Sequence, residues 1–264
     1  MNNKVLQNQT ALVTGASGGL GEDFARELAA RGANLVLVAR REEALRRVAD
    51  GLEKEYGVST LVIPADLAAS GAPDTLYHQL RDRGVQVDVL VNNAGFGIYG
   101  MFADISWEQE KAMLDLDILA VVHLTKLFLP GMLARKHGYI LLVSSIGAYQ
   151  PSPTYASYSA AKAYVLSLGE ALNFELRDTG VHVTVILPGV TATEFLKVAG
   201  QQPSLYQRLM MMKSADVARV GIESMLKGKS SVIPGWMNAF SAFATRLIPR
   251  GLQAALANFM MTRY

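Results

Sequence analysis

Cysteine is absent from the 264 residues, which excludes disulfides, thiolate metal sites, iron–sulfur clusters and a cysteine nucleophile together. Histidine is scarce: His78, His123, His137 and His182 lie far apart, without the close helical spacing of a zinc site, so no metal centre is expected. No run of about 18 apolar residues occurs, and the polar stretch from Met1 to Gln9 is unlike a signal peptide. The expected location is the cytoplasm. Charged residues make up only 18% of the chain against 50% apolar, which excludes a disordered protein and leaves ample material for a core. Acidic residues stop at Glu223, and beyond it stand Lys227, Lys229, Arg246, Arg250 and Arg263, so a formal net charge of +2 conceals a cationic end. Seven of the eleven methionines, from Met210 to Met261, lie beyond residue 200. The small net charge and the lack of a reading motif argue against nucleic acid as a partner.

What is present is an alternation. Short β-branched or leucine-rich runs at 10–14, 35–38, 60–63, 87–91, 139–143, 181–187 and 231–233 alternate with stretches of helical apolar spacing near 20–31, 42–56, 72–83, 107–136, 155–178 and 214–227. Continuously apolar strands between amphipathic helices predict an α/β fold, a doubly wound parallel sheet of about seven strands with helices on both faces. At roughly 150 residues per domain the length allows two small units or one large one, and the unbroken alternation favours a single Rossmann-like domain over 1–264. Two stretches break the pattern, an insert near 194–213 and an extension over 235–264. The insert follows the sixth strand and is expected to overhang the carboxyl edge of the sheet as a substrate lid.

The first strand runs into Thr14-Gly15-Ala16-Ser17-Gly18-Gly19-Leu20-Gly21 ahead of a helix. Glycines there let the backbone approach a pyrophosphate, which a helix N-terminus binds through its free N–H groups and partial positive charge. After the second strand an acid suits an adenosine ribose and an arginine suits a 2′-phosphate. The chain reads Val38-Ala39-Arg40-Arg41, with Arg40 where the acid is expected and Arg41 beside it, so NADP(H) is favoured over NAD(H). Asp66 and Leu67 after the third strand, and Asn92-Asn93-Ala94-Gly95 after the fourth, extend the same edge. Tyr158 and Lys162 stand four apart at the start of a predicted helix and therefore share a face. A free tyrosine titrates near about 10, and a nearby ammonium shifts it down. Ser145, just past the fifth strand, can hydrogen-bond a substrate carbonyl oxygen, while Ser144 alternates to the other face. Tyr155 lies about two helical turns from Lys162 and is the weaker partner for it. Each feature alone also fits a surface pair or a capping loop; their conjunction carries the weight.

In order and spacing, Thr14-Gly-x-x-x-Gly-x-Gly21, Asn92-Asn-Ala-Gly95, Ser145, Tyr158-x-x-x-Lys162 and Pro188-Gly189-Val190-Thr191-Ala192-Thr193 resemble the short-chain dehydrogenase/reductase family. The resemblance spans about Gln9 to Thr193 and continues more loosely to the end. It implies hydride transfer between nicotinamide and a carbonyl or alcohol carbon. Tyr158 would be the general acid/base, Lys162 would lower its pKa and hold the nicotinamide ribose, and Ser145 would polarise the substrate oxygen. Gly15, Ser17, Gly19, Leu20, Gly21, Asn92, Ala94, Gly95, Pro188, Gly189, Thr191 and Thr193 would line the cofactor, with Asp66 near the adenine. A homodimer or homotetramer built partly on the helices near 107–136 and 155–178 is also implied.

One position departs from the family pattern. Where members usually carry an asparagine that helps retain a proton-relaying water, this chain has Asp117, which when ionised only accepts hydrogen bonds and brings a negative charge toward Lys162. The expectation is an active enzyme with its optimum displaced to higher pH; the alternative is a cofactor-binding protein whose catalysis is vestigial. Members with an Ala-Arg-Arg segment and an apolar tail include ketone, steroid and fatty-acyl reductases, so an apolar carbonyl substrate is expected. Methionines near Met210 suit an adaptable apolar wall. The tail is expected to pack within a subunit or an oligomer, with peripheral contact to anionic lipid or substrate gating as alternatives.

Overall fold

The β-branched and leucine-rich runs form strands β1 (Thr10–Thr14), β2 (Asn34–Ala39), β3 (Thr60–Pro64), β4 (Val89–Asn92), β5 (Gly138–Val143), β6 (Val181–Ile186) and β7 (Ser231–Val232). In the computed structural model, which describes residues 4–202 and 204–262, they make one seven-stranded sheet in the order β3-β2-β1-β4-β5-β6-β7. All pairings are parallel. Consecutive strand residues point to opposite faces, so Val13, Leu35, Leu37, Val89 and Val91 enter one core while Leu12, Val36, Val38 and Leu90 enter the other. Two cores on one sheet require apolar residues at every strand position, and this accounts for the apolar excess.

Helices α1 (Gly19–Ala30), α2 (Glu42–Tyr56) and α9 (Ser214–Leu226) cover the first face. The second is covered by α3 (Ala72–Asp82), α5 (Val121–Arg135) and α6 (Ala156–Glu175). Because β2 and β4 flank β1 on opposite sides, the order reverses beside β1 and opens a crevice at the strands' carboxyl ends. Thr14 ties that point together: its hydroxyl donates to the Val91 carbonyl at 3.2 Å and accepts from the Asn93 and Ala94 N–H groups at 2.9 Å.

One segment differs from the sequence expectation, and two more take a form that the sequence had left open. The continuous helix predicted over 107–136 is divided into α4 (Trp107–Leu114), a π-helical segment (Asp115–Ala120) and α5. Such widened turns recur at functional sites, and this one carries Asp117. The insert forms two short helices, α7 (Phe195–Val198) and α8 (Leu205–Met210), with Thr191 bridged to Met212 at its base. The extension forms α10 (Trp236–Thr245) and α11 (Arg250–Thr262), and most of its large apolar side chains are exposed on the subunit. α10 instead buries Asn238, Ala242 and Thr245, leaving its aromatic residues exposed. Among the described residues no helix is long and apolar enough to cross a membrane.

Candidate active site

A cavity of about 380 Å³ runs along the crevice from Gly15, Ser17, Gly19, Leu20 and Gly21 to Ser145, Tyr158 and Lys162, bounded by the insert and by α10. At its first end the backbone turns with φ of 68° at Gly15 and 57° at Gly19, a region glycine occupies without steric cost. A side chain at Gly21 would collide with the Gly15 carbonyl. No side chain caps the start of α1, so its first N–H groups remain open to an acceptor. A bare turn, an uncapped helix N-terminus and a cavity wall coincide there. These residues fit a dinucleotide pyrophosphate.

Arg41, not Arg40, faces this turn. Its guanidinium donates to the Ser17 hydroxyl at 3.3 Å and lies 3.6 Å from Glu194, where the insert begins. The reason is local: Arg41 is the extended residue preceding α2 and points back over the glycines, whereas Arg40 is exposed and does not line the cavity. Asp66, Leu67 and Asn92 also stand outside it. Asp66 accepts from the Ala68 N–H, Leu67 is in the core, and buried Asn92 donates to the Thr125 hydroxyl at 3.1 Å. Ala94, Gly95, Pro188, Gly189, Thr191 and Thr193 do line the cavity. Asn93 was missed as a site residue: its amide donates to the Thr14 carbonyl at 2.8 Å and lines the wall. Strand alternation between the two asparagines was the available signal.

At the other end, β5 delivers Ser144 and Ser145 to opposite sides. Buried Ser144 donates to the Lys162 carbonyl at 2.7 Å and fastens α6 to the strand. Ser145 caps a 3₁₀ turn (Ile146–Tyr149) by accepting from the Gly147 N–H at 3.1 Å, which leaves its hydroxyl hydrogen for another acceptor. Lys162 is buried, donates to the Val143 carbonyl at 3.2 Å, and holds its ammonium 5.6 Å from the Tyr158 ring centre. Tyr155 packs edge-on against Tyr158, with ring centres 5.8 Å apart, and donates to Gln201 of the insert at 2.8 Å.

Asp117 occupies the centre of this network. It is fully buried, accepts from the Phe96 N–H at 3.0 Å, and pairs with Lys162 at 3.0 Å, at an angle short of a hydrogen bond. Gly95 has no side chain because a Cβ there would lie 2.7 Å from the carboxylate and 3.1 Å from the ammonium. Burial pushes the Asp117 carboxyl up from its ordinary range, opposed by Lys162 and the Phe96 N–H. Tyr158 is also pushed up, by burial first and then by the charge of Asp117, while the Ser145 hydroxyl pulls the other way.

Residues 9–204 match the short chain dehydrogenase family, and the chain belongs to it. It is 34% identical to a very-long-chain 3-oxoacyl-CoA reductase of Anas platyrhynchos, covering 90% of this chain and 77% of that one. A 7beta-hydroxysteroid dehydrogenase structure superposes with a TM-score of 0.88 at 27% identity, over 97% of this chain and 99% of its own. A short-chain dehydrogenase from Sphingobium yanoikuyae in complex with NADPH gives 0.80 at 29% identity, over 90% and 94%.

Proposed function

We propose that this protein is an NADP(H)-dependent oxidoreductase that interconverts a bulky apolar ketone and its alcohol. The observation that carries the reading is the convergence of Ser145, Tyr158 and Lys162 on a cavity continuous with the glycine turn of α1. When bound, the nicotinamide supplies or accepts the hydride. Gly15, Ser17, Gly19 and the start of α1 would hold its pyrophosphate, and Arg41 a 2′-phosphate. Ser145 donates a hydrogen bond to the substrate carbonyl oxygen, and Tyr158 gives that oxygen its proton during reduction. Lys162 is held by Asp117 and the Val143 carbonyl beneath the Tyr158 ring, where it keeps positive charge next to the phenol.

The substrate end of the cavity presents Ile146, Phe195, Leu196, Val198 and Ala242, with Gln150 and Gln201 among the polar groups. That apolar lining supports an acyl or steroid-like substrate, as do the acyl and hydroxysteroid names of the relatives. NADPH consumption with a panel of bulky ketones tests the reading. Turnover that falls at least about a hundredfold in Tyr158→Phe supports it. The Asp117–Lys162 pair favours a second reading, a cofactor-binding protein without turnover, because it offsets the charge that would activate Tyr158. Tight NADPH binding with no carbonyl reduced by the parent would select that one.

A further inference from the structure

The extension has two faces of opposite character. On α10, Ser241, Ala242 and Thr245 line the cavity. Trp236, Phe240, Phe243 and Leu247 recur at helical intervals of four, three and four, and are 79%, 68%, 56% and 76% exposed. At about 100° per residue they point nearly opposite to the buried row of Asn238, Ala242 and Thr245. On α11, Leu252, Leu256 and Phe259 are exposed, while Gln253 and Ala257, about 110° round the helix from them, are buried. The Gln253 amide donates to the Thr245 and Ile248 carbonyls at 2.7 Å, so α11 is fastened to the end of α10. Two successive helices thus turn apolar rows outward, and an apolar surface of this kind marks a docking site.

We propose that this face docks on an anionic lipid surface, with its aromatic side chains in the interface and Arg246 and Arg250 on the headgroups. Charge selects the occupant. Every ionisable side chain from Lys227 to Arg263 is cationic, and among the described residues Arg246 and Arg250 are exposed and make no ion pair. A second copy on the same face would set arginines against arginines with no acid in either helix to compensate. Anionic headgroups supply that compensation, and exposed tryptophan and phenylalanine suit the boundary between headgroups and acyl chains. Docking of this kind lies on the membrane without crossing it, consistent with the absence of a spanning helix among the described residues. It also places lipid on one side of α10 and the cavity on the other. The inference stands on exposure and charge, independent of the chemistry assigned to Tyr158.

Co-sedimentation of the full chain with phosphatidylcholine vesicles, with and without phosphatidylglycerol, tests it. The expected result is binding that requires phosphatidylglycerol, weakens with added salt, and drops about fivefold for each of Arg246→Gln and Arg250→Gln. Binding is lost in Phe240→Glu/Phe243→Glu. Circular dichroism checks that this double variant folds; if it does not, the arginine variants and the salt dependence carry the test, since neither alters packing. No binding to either vesicle overturns the proposal, as does equal binding to neutral vesicles. Sedimentation equilibrium that finds an assembly broken by Phe240→Glu/Phe243→Glu would assign the face to a second copy and overturn it equally.

Discussion

Asp117 sets the charge around Tyr158. Burial raises the phenol's pKa most and the Asp117 carboxylate raises it further, so in the reduction direction Tyr158 stays protonated to higher pH and activity is lost only on the alkaline side. Asp117→Asn keeps the shape and the oxygen that accepts from Phe96, but removes the charge. The upper limb of the NADPH-oxidation profile should therefore move to lower pH. An unchanged profile would show that the charge is fully neutralised by Lys162. The arginines make a second residue-scale test, because only one of them faces the glycine turn. Arg41→Ala should raise KM for NADPH roughly tenfold and leave NADH nearly unaffected. Arg40→Ala should change neither. The reverse outcome would return the 2′-phosphate contact to Arg40.

Among the elements, α6 carries the most consequence, since it bears both Tyr158 and Lys162. Its position depends on Gly169, where a Cβ would collide with Val185 of β6 and lie 3.0 Å from Leu142 of β5. A bare helix face lets α6 sit close to the sheet and brings Lys162 within reach of the Val143 carbonyl. Gly169→Val should overpack this contact and destabilise the fold by about 1–3 kcal/mol, read as a lowered thermal midpoint. Turnover should fall more than cofactor affinity, because α6 shifts relative to Ser145 while the glycine turn, on the far side of the sheet's switch point, is untouched. The π-helical segment between α4 and α5 is the other functional element. An uninterrupted α-helix was the simpler reading of 107–136, and nothing in its apolar spacing marked the widened turn that carries Asp117.

For the molecule as a whole, α6 and the segment before α5 also expose Leu119, Tyr164 and Phe174. These positions are separate from the outward rows of α10 and α11 in sequence. If they seat the homodimer or homotetramer that the family resemblance implies, sedimentation equilibrium should find one of these, shifting toward monomer in Leu119→Glu/Phe174→Glu. Monomer alone in the parent would reject it. Much of the architecture was legible beforehand. A parallel strand buried on both faces must be apolar at every position, so the seven runs stood out against the amphipathic helices. Tyr158 and Lys162 were legible because helical spacing alone puts them on one face, and the glycine turn because backbone approach to a phosphate tolerates little else. Spacing could not distinguish Arg40 from Arg41, or Asn92 from Asn93, since which neighbour faces a crevice depends on backbone direction at a strand's end. The approach of Asp117 to Lys162, on different helices, came from the family resemblance and not from spacing, and the structure has the two 3.0 Å apart; neither source brought α10 to the cavity wall. The outward apolar rows of the extension make the same point. Their helical spacing is identical whether the face is packed or bare, and the chain's own order determined only the rows. Tertiary packing decided their exposure, because the 3₁₀ turn after β5 and the Gly189 and Met212 segments accepted the narrow Asn238–Ala242–Thr245 side of α10 and left the aromatic side to the surroundings.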